Sequence, residues 1–132
     1  MTFPLVTAVY AAVLALIFFA LSVWVSAGRG RFKVNHGDGG NAALQRRIRA
    51  HANFAEYVPL ILILVAFLES SGASRFTAHL LLLPLTLARL AHPVGMLAPE
   101  NSAQQLAFRG AGAGVTWLIL VAAAVLLLVR LA

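Results

Sequence analysis

The sequence predicts an all-α integral membrane protein built as a four-helix bundle. Three observations lead there. Of 132 residues, 61% are hydrophobic and only 11% charged, and the mean hydropathy is +0.90. A soluble domain of this length does not need so much apolar side chain, so the chain reads as one membrane domain. Thr2 to Gly28 and Gly110 to Val129 carry no charge at all, and ~20 apolar residues suffice to cross the hydrocarbon core. Polar residues gather in short interruptions that leave four membrane-length stretches. The basic pI near 11.5 does not signal nucleic acid, because the basic residues cluster where the helices meet the membrane edge. With no cysteine, disulfides, thiolate metal sites and a cysteine nucleophile are excluded, no metal site is expected, and any thiol chemistry needs a thiol carried by a ligand.

The first helix is expected over about residues 3–27, with Thr2 and Pro4 suited to its start. It is too long for a signal-peptide core and has no basic leader, so it reads as a retained span. Gly28 to Gly40, GRGRFKVNHGDGG, reads as the longest polar loop. Its two G-x-G-like patterns follow no strand, which argues against a nucleotide loop. Asn41 can cap a second helix over about 42–69. The uncharged part of that helix, Tyr57 to Leu68, cannot span alone. Arg49, Asn53 and Glu56 must therefore lie in or at the membrane, and Pro59 is expected to bend the helix. SSGAS at Ser70 to Ser74 is a tight turn. A third helix is expected over about 75–97, with Pro84 and Pro93 inside it, as membrane helices tolerate. After the connection PENSAQQ, Ser102 and Gln105 match a capping box that opens a fourth helix over about 103–130. Gly110-x-x-x-Gly114, with Ala111 and Ala113 between, predicts close approach of another helix.

The stretch from Arg46 to Pro59, RRIRAHANFAEYVP, organises the rest. On a helix, Arg49, Asn53 and Glu56 fall within about 60° of one another, while His51 points the opposite way. Arg49 and Glu56 are placed to satisfy each other through Asn53 or through a ligand, and a purely structural ion pair is the competing reading. Arg89, His92 and Met96 share one face of the third helix at i, i+3 and i+7. At ~1.5 Å per residue, Arg49, Arg89 and Arg109 each lie ~9–12 Å from the same end of the bundle. Three buried arginines beside one carboxylate, Glu56, predict an anionic ligand held bidentately. Eight of the ten Lys and Arg residues belong to this half: Arg29, Arg31, Lys33, Arg46, Arg47, Arg49, Arg89 and Arg109. The positive-inside rule makes that side cytoplasmic, with both termini on the other.

Arg49-Ala-His-Ala-Asn53-Phe-Ala-Glu56-Tyr57-Val-Pro59, with Arg46 three residues before, resembles the signature of the MAPEG family, the membrane-associated proteins in eicosanoid and glutathione metabolism. Arg29, Arg89, His92 and Arg109 also fall where that family has polar residues. The resemblance implies a homotrimer of four-helix subunits in a bacterial inner membrane, binding glutathione as co-substrate in clefts between subunits near the cytoplasmic side. It implies glutathione contacts from Arg49, Asn53, Glu56 and Tyr57 of one subunit, from Arg29 and His51 of its neighbour, and from Arg89 and His92. Arg109, also expected from the neighbour, matches the family's thiol activator. The implied function is glutathione-dependent conjugation of lipophilic electrophiles or reduction of lipid hydroperoxides, in detoxification, with lipophilic small molecules and membrane lipid as partners. Met96 departs from the tyrosine of the eicosanoid branches, Gly110 from the serine of the prostaglandin branch, and His51 from the glutamine of the leukotriene branch. Two alternatives stay open: a non-catalytic lipid-binding scaffold of the same family, and a small four-helix transporter with Glu56 as coupling carboxylate.

Overall fold

Four long helices account for most of the chain. The structure, a computed structural model, describes residues 2–132. The helices are α1 (Leu5–Phe32), α2 (Ala42–Ser70), α3 (Arg75–Leu97) and α4 (Ala103–Leu131), each long and apolar enough to cross a membrane. No strand occurs among the described residues.

Each helix buries one stripe. On α2 it is Phe54, Val58, Ile61, Val65 and Leu68; on α3 it is Ala78, Leu82, Leu85, Arg89 and His92; on α4 it is Gly112, Thr116, Ile119 and Ala123. The spacing alternates four and three residues, the 3.5-residue period of helices packed along their length. The stripe of α3 turns polar in its last turns, and this carries Arg89 and His92 into the bundle. Outward faces are apolar: Leu16, Phe19, Leu80, Leu118 and Val129 are all exposed. Lipid tails are as apolar as leucine, so helix association rests on close packing and on polar ties between helices. Helices α2 and α3 form the central pair, and α1 and α4 each pack against both without meeting one another among the described residues.

Several boundaries differ from the sequence expectation. Helix α1 runs through Gly28 and Gly30 to Phe32, because two glycines alone do not stop a helix and Arg29 and Arg31 sit favourably in its last turn. The stop is Lys33 at φ 54, where the N–H groups of Lys33 and Val34 bond back to the carbonyls of Gly30 and Arg29. Neither Thr2 nor Pro4 supplies a side-chain cap for the start of α1. The buried carboxylate of Glu69, at the end of α2, does so across the bundle: it accepts from the Val6 N–H at 3.0 Å, the Thr7 N–H at 2.9 Å and the Thr7 hydroxyl at 2.7 Å. Arg130 makes the matching tie at the same end, donating to the Ser71 carbonyl from Nε and Nη2.

The start of α4 follows the expected cap, with the Ser102 hydroxyl accepting from the Gln105 N–H and the Gln105 side chain reaching back to the Asn101 N–H. Beyond it, Leu106–Gly110 forms a π-turn that the sequence did not announce. The helix crossings explain the change of geometry. A Cβ at Gly95 would collide with the backbone of Phe108 and Arg109, and one at Gly112 would lie 3.2 Å from the Ala88 carbonyl and from His92. The glycines that let α3 and α4 close together are thus Gly95 and Gly112. Gly110 and Gly114, expected to serve this purpose, meet nothing within 4 Å in the subunit and face outward.

Candidate ligand site between α2, α3 and α4

The N-terminal turns of α2 present one continuous face: Ala42, Gln45, Arg46 and Arg49. The end of α3 faces it with Met96, the α3–α4 connection with Glu100 and Asn101, and α4 with Gln105 and Arg109. These residues enclose a polar hollow of about 330 Å³. A second hollow of about 360 Å³ shares Gln105 and Arg109 and continues past Asn53, His92, Leu106, Ala113 and Trp117. Arg109 therefore stands where the charged hollow adjoins a second one, walled partly by apolar side chains and open outward at Leu106 and Trp117. The π-turn sets its position, since one extra residue in a turn rephases what precedes it by ~100°.

Three guanidinium groups line the charged hollow against one carboxylate. Glu100 is paired with Arg46 at 3.0 Å and is itself largely exposed. Arg49 meets Glu56 only loosely, at 3.9 Å, with both side chains about half exposed, so screening by solvent leaves that pair weak. Arg109 has no carboxylate within salt-bridge distance among the described residues. The hollow therefore keeps a positive surplus.

The predicted residues divide into groups. Arg49 and Arg109 line the charged hollow, and Asn53, His92 and Arg109 the second one. Asn53 does not bridge Arg49 and Glu56: its side-chain oxygen accepts from Arg89 Nη1 at 2.6 Å, while Arg89 Nη2 donates to the Gly112 carbonyl at 2.7 Å. Arg89, only 1% exposed, is held inside the bundle by α2 and α4 and is not free to grip a ligand in the hollow. The expected layer of three buried arginines is thus one buried arginine with two opening outward. Tyr57 packs half-buried against the core. His51 faces α1 of its own subunit, stacked on Phe18 with ring centroids 4.6 Å apart and 3.0 Å from the Ser22 hydroxyl. Arg29 lies near the end of α1. Within one chain, Arg109 joins Arg49 rather than Arg29 and His51, with which the resemblance grouped it.

Sequence reasoning overlooked Gln45, Glu100, Asn101, Gln105 and Trp117 as lining residues. Gln45 was within reach of the helical pattern, being four residues before Arg49 on the same face. The others depend on how the α3–α4 connection folds over the end of α2.

The sequence pattern that defines the MAPEG family matches residues 7–129, and this decides the affiliation. The chain belongs to the MAPEG family. Among curated proteins, this MAPEG chain is 34% identical over 113 residues to the inner membrane protein YecN of Escherichia coli K12, covering 86% of this chain and 82% of that one. The YecN of Escherichia coli O6:H1 matches to the same extent. The MAPEG four-helix bundle fits the observed architecture, and the arginine-lined hollow lies at one end of it.

Proposed function

We propose that the protein is a glutathione-dependent enzyme of a bacterial inner membrane, joining glutathione to lipophilic electrophiles or using it to reduce lipid hydroperoxides. The observation that carries this reading is the charged hollow, where Arg46, Arg49 and Arg109 face one carboxylate, Glu100. Glutathione brings two carboxylates and one ammonium group. Arginine's planar fork suits the carboxylates, and Glu100 or Glu56 suits the ammonium. Arg109, between the two hollows, would act as a fixed cation beside the thiol. A free thiol titrates near ~8.5 and falls beside arginine, so thiolate forms at neutral pH. Arg109 itself does not give up a proton. An electrophile entering from the bilayer would occupy the second hollow, near Trp117. The sulfur forms the new bond there as the leaving group departs with its electron pair; with a hydroperoxide, the thiolate takes the terminal oxygen as the O–O bond breaks and the alkoxide leaves as the alcohol, and a second glutathione displaces that oxygen as water to give the disulfide.

Arg29 and His51 lie away from this hollow in the subunit. A homotrimer, with neighbours closing each other's sites, supplies a way for them to take part. The excess of Lys and Arg at this end supports a site on the cytoplasmic side, with the termini opposite. The test is titration of glutathione into purified protein, following thiolate absorbance. Saturable binding is expected, with Arg109→Ala retaining binding and losing thiolate. Absence of saturable binding, or unchanged thiolate in Arg109→Ala, would overturn the proposal.

One observation favours a second reading, the non-catalytic lipid-binding scaffold. Met96 lines the charged hollow and cannot donate a hydrogen bond to sulfur. Bound lipid whose retention ignores glutathione would support that reading.

A further inference from the structure

We propose that the protein carries a second site, for an anionic membrane phospholipid, in the groove between α1 and α3, with Arg47 at its mouth. The groove has a volume of about 380 Å³. Ala20, Leu21 and Trp24 wall it on α1, and Leu90, Val94 and Leu97 on α3, with Arg89 the charged residue among those that line it. The wall positions recur at three- and four-residue spacings, Leu21 to Trp24 on α1 and Leu90 to Val94 to Leu97 on α3, so the groove runs along the helices, as an acyl chain hanging from a headgroup does. It lies apart from the arginine-lined hollow, which is built by α2, α3 and α4.

Arg47 is not among the residues that wall the groove; it reaches its edge through Trp24. The Arg47 guanidinium lies over the Trp24 ring, 5.0 Å from its centre, and Nη1 donates to the Trp24 carbonyl at 3.2 Å. Its Nε is enclosed without a partner. Among the described residues the ion pairs are Arg46 with Glu100 and Arg49 with Glu56, so Arg47 has no carboxylate. A guanidinium fixed on an aromatic face, with donors left over, suits a phosphate oxygen. Arg47 is five residues past Ala42, ~8 Å into α2. Helices of this length are ~42 Å long against a core of ~30 Å. Arg47 therefore stands near the level of the glycerol and phosphate groups, where tryptophan also anchors. Arg29, Arg31 and Lys33 add to the positive field at this end, which favours an anionic over a zwitterionic headgroup.

The experiment is native mass spectrometry of the full chain in detergent with phosphatidylglycerol or phosphatidylethanolamine of matched acyl chains. Phosphatidylglycerol should be retained about fivefold better, the factor that one arginine at the surface supplies. Arg47→Gln should erase the preference, and Arg31→Gln should keep it. Val94→Trp fills the groove without changing charge and should lower retention, which decides the matter if Arg47→Gln fails to fold. Equal retention of the two lipids, or no difference between Arg47→Gln and Arg31→Gln, overturns the proposal. So does competition by glycerol phosphate as strong as by the intact lipid. Disulfide dimers of Val94→Cys, in a chain with no other cysteine, would assign the groove to a second copy and also overturn it.

Discussion

Replacing Glu69 by glutamine changes one acceptor atom in the tie that starts α1. Oε2 takes both the Thr7 N–H and the Thr7 hydroxyl, while Oε1 takes the Val6 N–H. The amide therefore settles with its oxygen toward Thr7 and its NH₂ against the Val6 N–H, donor against donor. A buried N–H left without an acceptor costs about 1–3 kcal/mol. The two surviving bonds fall from charged to neutral acceptors, losing roughly 1 kcal/mol each. The lost charge also forgoes a favourable meeting with the N-terminal end of α1, about 0.3–1 kcal/mol. Together, Glu69→Gln should destabilise the fold by about 3–6 kcal/mol on these scales. Unfolding in mixed detergent–dodecyl sulfate micelles, followed through Trp24 and Trp117 fluorescence, measures it. Glu69 lies 20 residues beyond Arg49 on the same helix, ~30 Å along its axis, so the arginine-lined hollow should be unaffected. A change below about 0.5 kcal/mol, the level of an ordinary surface substitution, would refute the reasoning. Additivity of Glu69→Gln with Thr7→Ala would refute it too, since contacting partners must couple.

Two further outcomes follow from the interior. Asn53→Ala should destabilise by about 1.5–3 kcal/mol, because it leaves Arg89 Nη1 buried without an acceptor. Arg89→Met should cost less in the same unfolding assay, since it removes the buried charge and leaves the Gly112 carbonyl still bonded to the Thr116 hydroxyl. At the α3–α4 crossing, Gly95→Ala forces a methyl group against the Arg109 backbone. It should lower stability and shift the environment of Trp117, whereas Gly110→Ala, with nothing within 4 Å, should leave the monomer's unfolding unchanged.

The fold was legible because its cause is one-dimensional. Four long apolar runs, two of them uncharged over more than a bilayer's length and all broken by short polar segments, leave the backbone no choice but helix. The caps at Asn41 and Ser102 were legible for the same reason: their partners are three residues away. Arg49 and Arg109 were legible as charges at one level because charge inside an apolar run is rare, but not as partners within one subunit, since the resemblance gave Arg109 to the neighbour. Arg89 was legible as a buried charge and illegible as a ligand. Its partners, Asn53 and the Gly112 carbonyl, lie 36 and 23 residues away, and a carbonyl oxygen has no letter in the sequence. The role of Glu69 was illegible for the same reason, its partners Val6 and Thr7 lying 63 and 62 residues away.

By itself the sequence determined four spans, the cationic end and the helix face that begins at Arg46, because each depends on hydropathy and on periods of a few residues. The tertiary structure alone decided which charges are spent inside the bundle and which stay open to a ligand. Helix α1 never meets α4, Gly95 and Gly112 let α3 close on α4, and the resulting crossings turn Arg89 inward while Arg49 and Arg109 look out. A side chain's direction along a helix is local; what stands opposite it is set only when the helices pack.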